Sequence, residues 1–233
     1  MNDLDRLRTL LAADAPLNWV ITGDSITHGL MHTQGVRSYA EHLHEIVRSE
    51  RFRVDDVMVN TAISGHRLAQ ILDDFDRRVA MWRPDVVTLM IGANDCSTAG
   101  AFPPIDAGAF GDALVQFVER VRATSAIPVL LTPPSVDVVQ APERARIAEF
   151  AEAMRVVAAA HEVALVDVHA AFTRIGRGGV PTGLMNDAFH PNAAGHAAIA
   201  LEAATALGLD PAPERARTFG LLRARVTEAT RLP

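Results

Sequence analysis

The sequence predicts a three-layer α/β/α domain on a five-stranded parallel sheet, in the strand order 2-1-3-4-5. Three observations carry this. Short apolar runs alternate with longer helix-type segments through five rounds. The runs are rich in Val, Ile and Leu without clean polar alternation, as befits strands covered on both faces. Right-handed crossovers then favour a doubly wound sheet, with the site beyond the carboxyl ends of the strands.

The elements follow in order. Leu4, Leu7, Leu10 and Leu11 have the spacing of a short covering helix. Residues 19–22 read as the first strand and 57–60 as the second. Between them, a helix over 39–48 places Leu43, Ile46 and Val47 on one face. A helix over 68–82 buries Ile71, Leu72, Phe75 and Val79 and leaves Asp73, Asp74, Asp76, Arg77 and Arg78 largely outside. Strands at 86–91, 129–132 and 163–168 are separated by helices at 110–122 and 143–161, and a last helix spans 193–207. Pro84 and Pro128 are expected just before strands, where each stops the preceding helix. Beyond Leu209 the chain reads as a Pro- and Arg-rich tail. Its Phe219-Gly220-Leu221-Leu222 patch packs either on the body or on a second subunit, giving a homo-oligomer. One domain over residues 1–233 is expected, with its core at about 18–207.

Composition narrows the function. The chain has 233 residues, of which 49% are hydrophobic, enough for a substantial core. A net charge of −6 argues against a general nucleic-acid partner. All 22 basic residues are arginine, which removes lysine Schiff-base chemistry and the P-loop lysine. No Gly-x-Gly-x-x-Gly or Walker pattern occurs, and no cofactor is implied. Met1-Asn2-Asp3-Leu4-Asp5 is not a basic leader, and no apolar run approaches the ~18 residues that span a bilayer. No signal peptide and no membrane insertion are expected. The single cysteine, Cys96, forbids an intramolecular disulfide, which fits a cytoplasmic setting.

The polar motifs converge on one edge of the expected sheet. Strand one ends at Gly23-Asp24-Ser25, and strand two leads to Ser64-Gly65. Strand three ends at Gly92-Ala93-Asn94-Asp95, and the loop after strand five carries Asp187 and His190. A serine becomes a nucleophile when a base takes its proton and a third group orients the base. Ser25, His190 and Asp187 are those three groups. An oxyanion needs donors fixed in advance, and the N–H groups of Ser25 and Gly65 with the Asn94 amide supply three. No serine sits in Gly-x-Ser-x-Gly, so an α/β-hydrolase elbow is not expected.

These four blocks, in order and each after the right strand, resemble the SGNH/GDSL hydrolase family over residues 18–207. Ala62 stands where that family often has glycine. The resemblance implies a serine esterase acting through an acyl-enzyme on a small-molecule ester. Removal of a small acyl group from a carbohydrate or other polar alcohol is the first choice. A lysophospholipase or thioesterase, an acyltransferase and an inactive binding module are the alternatives.

Other residues have assigned expectations. Asp24 and Asp95 are read as carboxylates that anchor the loops around the chemistry. Asp167 and His169 form a second Asp/His pair, read as structural. His28 and His32 lack a third partner for a metal and are read as substrate-facing, as is His66. An apolar pocket wall is expected from Phe102, Val136, Phe172, Leu184, Met185 and Phe189, and a polar wall from His28, His32, Gln34 and Arg37. Cys96 is read as a buried small side chain. The pH profile is expected to rise near or somewhat above the unperturbed histidine value of ~6.5.

Overall fold

The computed structural model describes residues 1–231, apart from the side chain of Met31. Five parallel strands form one sheet in the order β2-β1-β3-β4-β5. They are β1 (Asn18–Gly23), β2 (Val57–Asn60), β3 (Val86–Met90), β4 (Ile127–Leu131) and β5 (Ala164–Val166). The order predicted from the alternation is the one observed.

Strand periodicity builds the two faces. Successive side chains point to opposite sides, so Trp19, Ile21, Val86, Met90 and Val129 enter one apolar cluster. Val20, Val87, Leu89 and Leu130 enter the other. The first cluster is covered by α1 (Asp3–Ala12), α3 (Tyr39–Glu45) and α9 (Ala193–Ala206). The second is covered by α4 (Leu68–Asp73), α6 (Ala107–Ala123) and α7 (Ile147–Ala160). Short helices α2 (Ser25–His28), α5 (Phe75–Arg78) and α8 (Val168–Ile175), with a C-terminal α10 (Arg217–Ala229), complete the set.

Four local expectations are corrected. The helix read over 68–82 breaks at Asp74, where φ is −113° and ψ 27°. The break turns Arg78 inward, so Arg78 is 1% exposed rather than on the outside. Pro128 lies inside β4, not before it. The Ile127 N–H donates across to Asp85 on the β3 side. Backbone N–H groups alternate sides along a strand, so position 128 faces the β5 side, where pairing starts only at Val129. The run read as a strand over 163–168 stops at Val166, because the Asp167 carboxylate caps α8 through the Ala170 N–H.

The C-terminal tail is also more ordered than its composition predicts. Thr218 and Phe219 donate their N–H groups to the buried Glu50 carboxylate at the start of α10. Phe219 and Leu222 are buried in the cluster that contains α9, so these two side chains of the patch pack on the body, while Leu221 is exposed. No helix among the described residues is long and apolar enough to cross a membrane.

Candidate active site

Ser25 stands one residue beyond Asp24, which follows β1. The Asp24 carboxylate accepts the Ile26 N–H at 3.0 Å and caps the short helix α2. Ser25 is thus held at a sharp strand-to-helix turn. Gly23 makes that turn feasible, because its φ is +155° and an added Cβ would lie 2.2 Å from the Met90 carbonyl oxygen.

The imidazole arrives from the other end of the chain. Asp187 Oδ1 accepts the N–H groups of Phe189 and His190, at 2.9 and 2.7 Å, and so fixes the turn between them. Its Oδ2 is 2.8 Å from His190 Nδ1. His190 Nε2 is 2.9 Å from Ser25 Oγ. A carboxylate only accepts, so an ionised Asp187 places the proton on Nδ1 and leaves a lone pair on Nε2 facing the serine.

The electrostatics suit a neutral base. Burial pushes His190 below the ordinary histidine value; the Asp187 contact opposes this, and His32 and Arg144 add to it. For Asp187 burial pushes upward, but the Phe189 and His190 N–H groups and the imidazole outweigh it. The carboxyl stays below its usual range. Burial of the imidazole, only partly offset by its carboxylate partner, points to a titration below ~6.5 rather than at or above it.

Gly65 lies at φ +80° with nothing within 4 Å of an added Cβ. Ser64 donates its N–H to His28 Nδ1 at 3.1 Å, which fastens this turn to α2. Asn94 Nδ2 donates to the His66 carbonyl at 3.1 Å. One amide hydrogen holds the loop, and the second remains for a ligand. Ala62 is buried, and its N–H donates to Asn60 Oδ1 at 3.0 Å.

Asp24 and Asp95 are buried beneath these loops, and Asp95 Oδ1 accepts the Leu68 N–H at 2.9 Å. Burial pushes Asp24 up to about 7 and Asp95 up to about 6. Both accept backbone N–H groups, from Ile26 and Leu68. Asp167 binds Arg155 and Thr132 as well as the α8 N-terminus, so the Asp167/His169 pair serves the scaffold. Cys96 is buried, and desolvation pushes its thiol up to about 12, far from a reactive thiolate.

The expected substrate contacts separate into four groups. His32 lies against His190 itself, with ring centroids 3.9 Å apart and planes 13° apart. Phe189 lies against the same imidazole at 4.2 Å. His28 and His66 are spoken for by Ser64 and Arg78, and hold loops. Phe172 and Leu184 are fully buried in the core and do not form a pocket wall, and Val136 is 4% exposed in the other apolar cluster. Their side chains belong to sheet–helix packing, which an apolar run in sequence does not distinguish from a pocket wall. Arg37, expected on the polar wall, pairs instead with Glu45 and lines a separate groove of about 510 Å³ that shares no residue with the Ser25–His190 centre.

A cleft of about 180 Å³ adjoins Gly65 and Asn94 and includes Arg67, Ser97, Phe102 and Arg144. Sequence reasoning missed Arg144 and Arg78. The Arg144 guanidinium stands 3.8 Å over the Phe189 ring, pairs with Glu143 and also lines this cleft. Nothing in its surroundings in sequence marks it. Among the described residues no group of three or more His, Cys, Asp or Glu is placed to hold a metal ion.

Comparison with known proteins gives concordant results. The model of the GDSL-like lipase/acylhydrolase family matches residues 21–198. An α/β-hydrolase enzyme from the metagenome of Lake Arreo, Spain, is 28% identical, with a TM-score of 0.72 over 84% of this chain and 96% of that one. The lipase/acylhydrolase of Enterococcus faecalis is 25% identical, with a TM-score of 0.66 over 83% and 93%. A catalytic mutant of an acetylxylan esterase from Geobacillus stearothermophilus is 21% identical, with a TM-score of 0.71 over 84% and 97%. A search of curated proteins returned no match.

Proposed function

The chain belongs to the GDSL-like lipase/acylhydrolase family and is a serine hydrolase of carboxylic esters; on that premise we propose that it removes short acyl groups from a polar alcohol through an acyl-enzyme on Ser25. The observation that carries the assignment is the unbroken path from Ser25 Oγ to His190 Nε2 at 2.9 Å and from His190 Nδ1 to Asp187 at 2.8 Å.

Each step uses groups already in position. His190 takes the Ser25 proton as Oγ attacks the acyl carbonyl. Negative charge moves to the carbonyl oxygen, toward the Ser25 and Gly65 N–H groups and the free Asn94 amide hydrogen. The tetrahedral species expels the alcohol, which receives the proton from His190. Water repeats the cycle on the acyl-enzyme, with His190 again as base, and releases the acid. Asp187 stays ionised and steadies the imidazolium between steps.

The acetylxylan esterase that shares this fold has catalytic mutants at a serine, an aspartate and a histidine, the same three residue types. Acetyl esters of carbohydrates are therefore the first class to test. A series of p-nitrophenyl esters from acetyl to dodecanoyl, run beside acetylated xylo-oligosaccharides, should give its highest kcat/KM at acetyl and fall as the chain lengthens. A maximum at octanoyl or longer would contradict the short-acyl reading.

The pH dependence has a definite sign. His190 must be neutral to accept the Ser25 proton, so kcat/KM rises as pH increases through its titration. Burial holds that titration below the ordinary histidine value, so the acid limb should have its midpoint below ~6.5. A midpoint above ~7, clear of the unperturbed value, would contradict the burial argument when measured on the acetyl ester.

A further inference from the structure

Arg78 is 1% exposed, and no carboxylate among the described residues lies within ion-pair distance of it. The nearby Asp74 carboxylate is paired with Arg77 instead. Burying a cation without a counter-ion is costly, and an apolar side chain would be cheaper at this position. What the guanidinium does contact is informative. One terminal nitrogen donates to Thr22 Oγ1 at 3.2 Å and to the Gly23 carbonyl at 3.4 Å, at the end of the strand that delivers Ser25. The other terminal nitrogen is 3.0 Å from His66 Nδ1.

A guanidinium only donates, so His66 Nδ1 must carry a lone pair and the ring must be neutral, with its proton on Nε2. Burial and the neighbouring Arg78 charge both hold His66 below the ordinary histidine value, which agrees with this tautomer. The His66 carbonyl in turn accepts the Asn94 amide at 3.1 Å. Gly65 is the residue before His66. One buried cation therefore touches the strand end before Ser25 and the turn that carries Gly65, and reaches Asn94 through His66.

We propose that Arg78 is a positioning residue that aligns the three oxyanion donors with one another and adds its positive charge to the field at the forming oxyanion. The inference rests on the oxyanion-hole reading of Ser25, Gly65 and Asn94. Donors of this kind matter most when charge develops, so their misalignment lowers kcat and leaves ground-state binding almost untouched.

The test uses the full chain and the acetyl p-nitrophenyl ester. Arg78→Met removes both the fork and the charge, and should lower kcat by ~10–100-fold with KM within about twofold, a part of what one oxyanion donor is worth. Arg78→Lys keeps the charge and should recover part of that loss. His66→Leu breaks only the link to the 64–66 turn at a half-buried position, and reads the same connection if Arg78→Met fails to fold. Its kcat should fall by ~10-fold, within the range of a misaligned donor. The double variant Arg78→Met/Asn94→Ala should lose much less than the product of the single losses, because the two act as one unit. Strict multiplicativity, a change confined to KM, or an unchanged kcat in His66→Leu would each overturn the proposal. If Asn94→Ala alone leaves kcat unchanged, the oxyanion-hole reading has failed instead, and the two failures are thereby told apart.

Discussion

Ser25→Ala is expected to lower kcat by about 10⁶-fold, the scale seen when a triad serine is removed from an enzyme whose members act as a unit. The fold should persist. Ser25 is a small side chain whose Oγ bonds only to His190, and one such hydrogen bond is worth about 1 kcal/mol of stability. Asp24, which caps α2, is untouched by the change. The melting temperature should therefore stay close to that of the parent protein while hydrolysis of the acetyl ester disappears. Activity within tenfold of the parent would remove Ser25 from the role of nucleophile.

The second large effect separates an electronic role for Asn94 from a structural one. Asn94→Ala should lower kcat by ~10²–10³, with KM nearly unchanged. Asn94→Asp has nearly the same shape but sets a carboxylate beside a developing negative charge. It also loses the hydrogen bond to the His66 carbonyl, because an ionised carboxylate has no proton to donate. It should be at least as damaging as alanine. If Asn94 merely shaped the turn after β3, the order would reverse: aspartate would be mild, and alanine would cost stability. Measuring kcat and melting temperature for both variants decides between them, and a nearly active Asn94→Asp enzyme is incompatible with an oxyanion role.

The sheet was legible because its strands are short Val-, Ile- and Leu-rich runs, and the connections between them leave few topologies. The residues around the chemistry were legible for a related reason. In a parallel sheet every strand ends on the same edge, so polar residues just after β1 and β3 must meet. The break at Asp74 was not legible, since the 3.6-residue pattern of Ile71, Leu72, Phe75 and Val79 continues across it. The contacts that hold Arg78 inward come from Thr22, Gly23 and His66, outside the helix, and leave no mark on its own periodicity. The helix α10 left one trace. Nine of the fourteen residues of α9 are buried, and a helix apolar all round needs cover on more than one side. That cover is α3 on one flank and the tail on another. Arg144 reaches the site from outside every motif, through its contacts with Glu143 and the Phe189 ring.

Covalent labelling tests the central claim most directly. A fluorophosphonate reacts with a serine whose hydroxyl is activated by a neighbouring base and whose adduct is held by oxyanion donors. Treatment of the intact protein, followed by proteolysis and mass spectrometry, should place one label on Ser25, and His190→Ala should suppress its formation. A label on another serine, or equal labelling of Ser25 after His190 is removed, would contradict the Ser25–His190–Asp187 assignment.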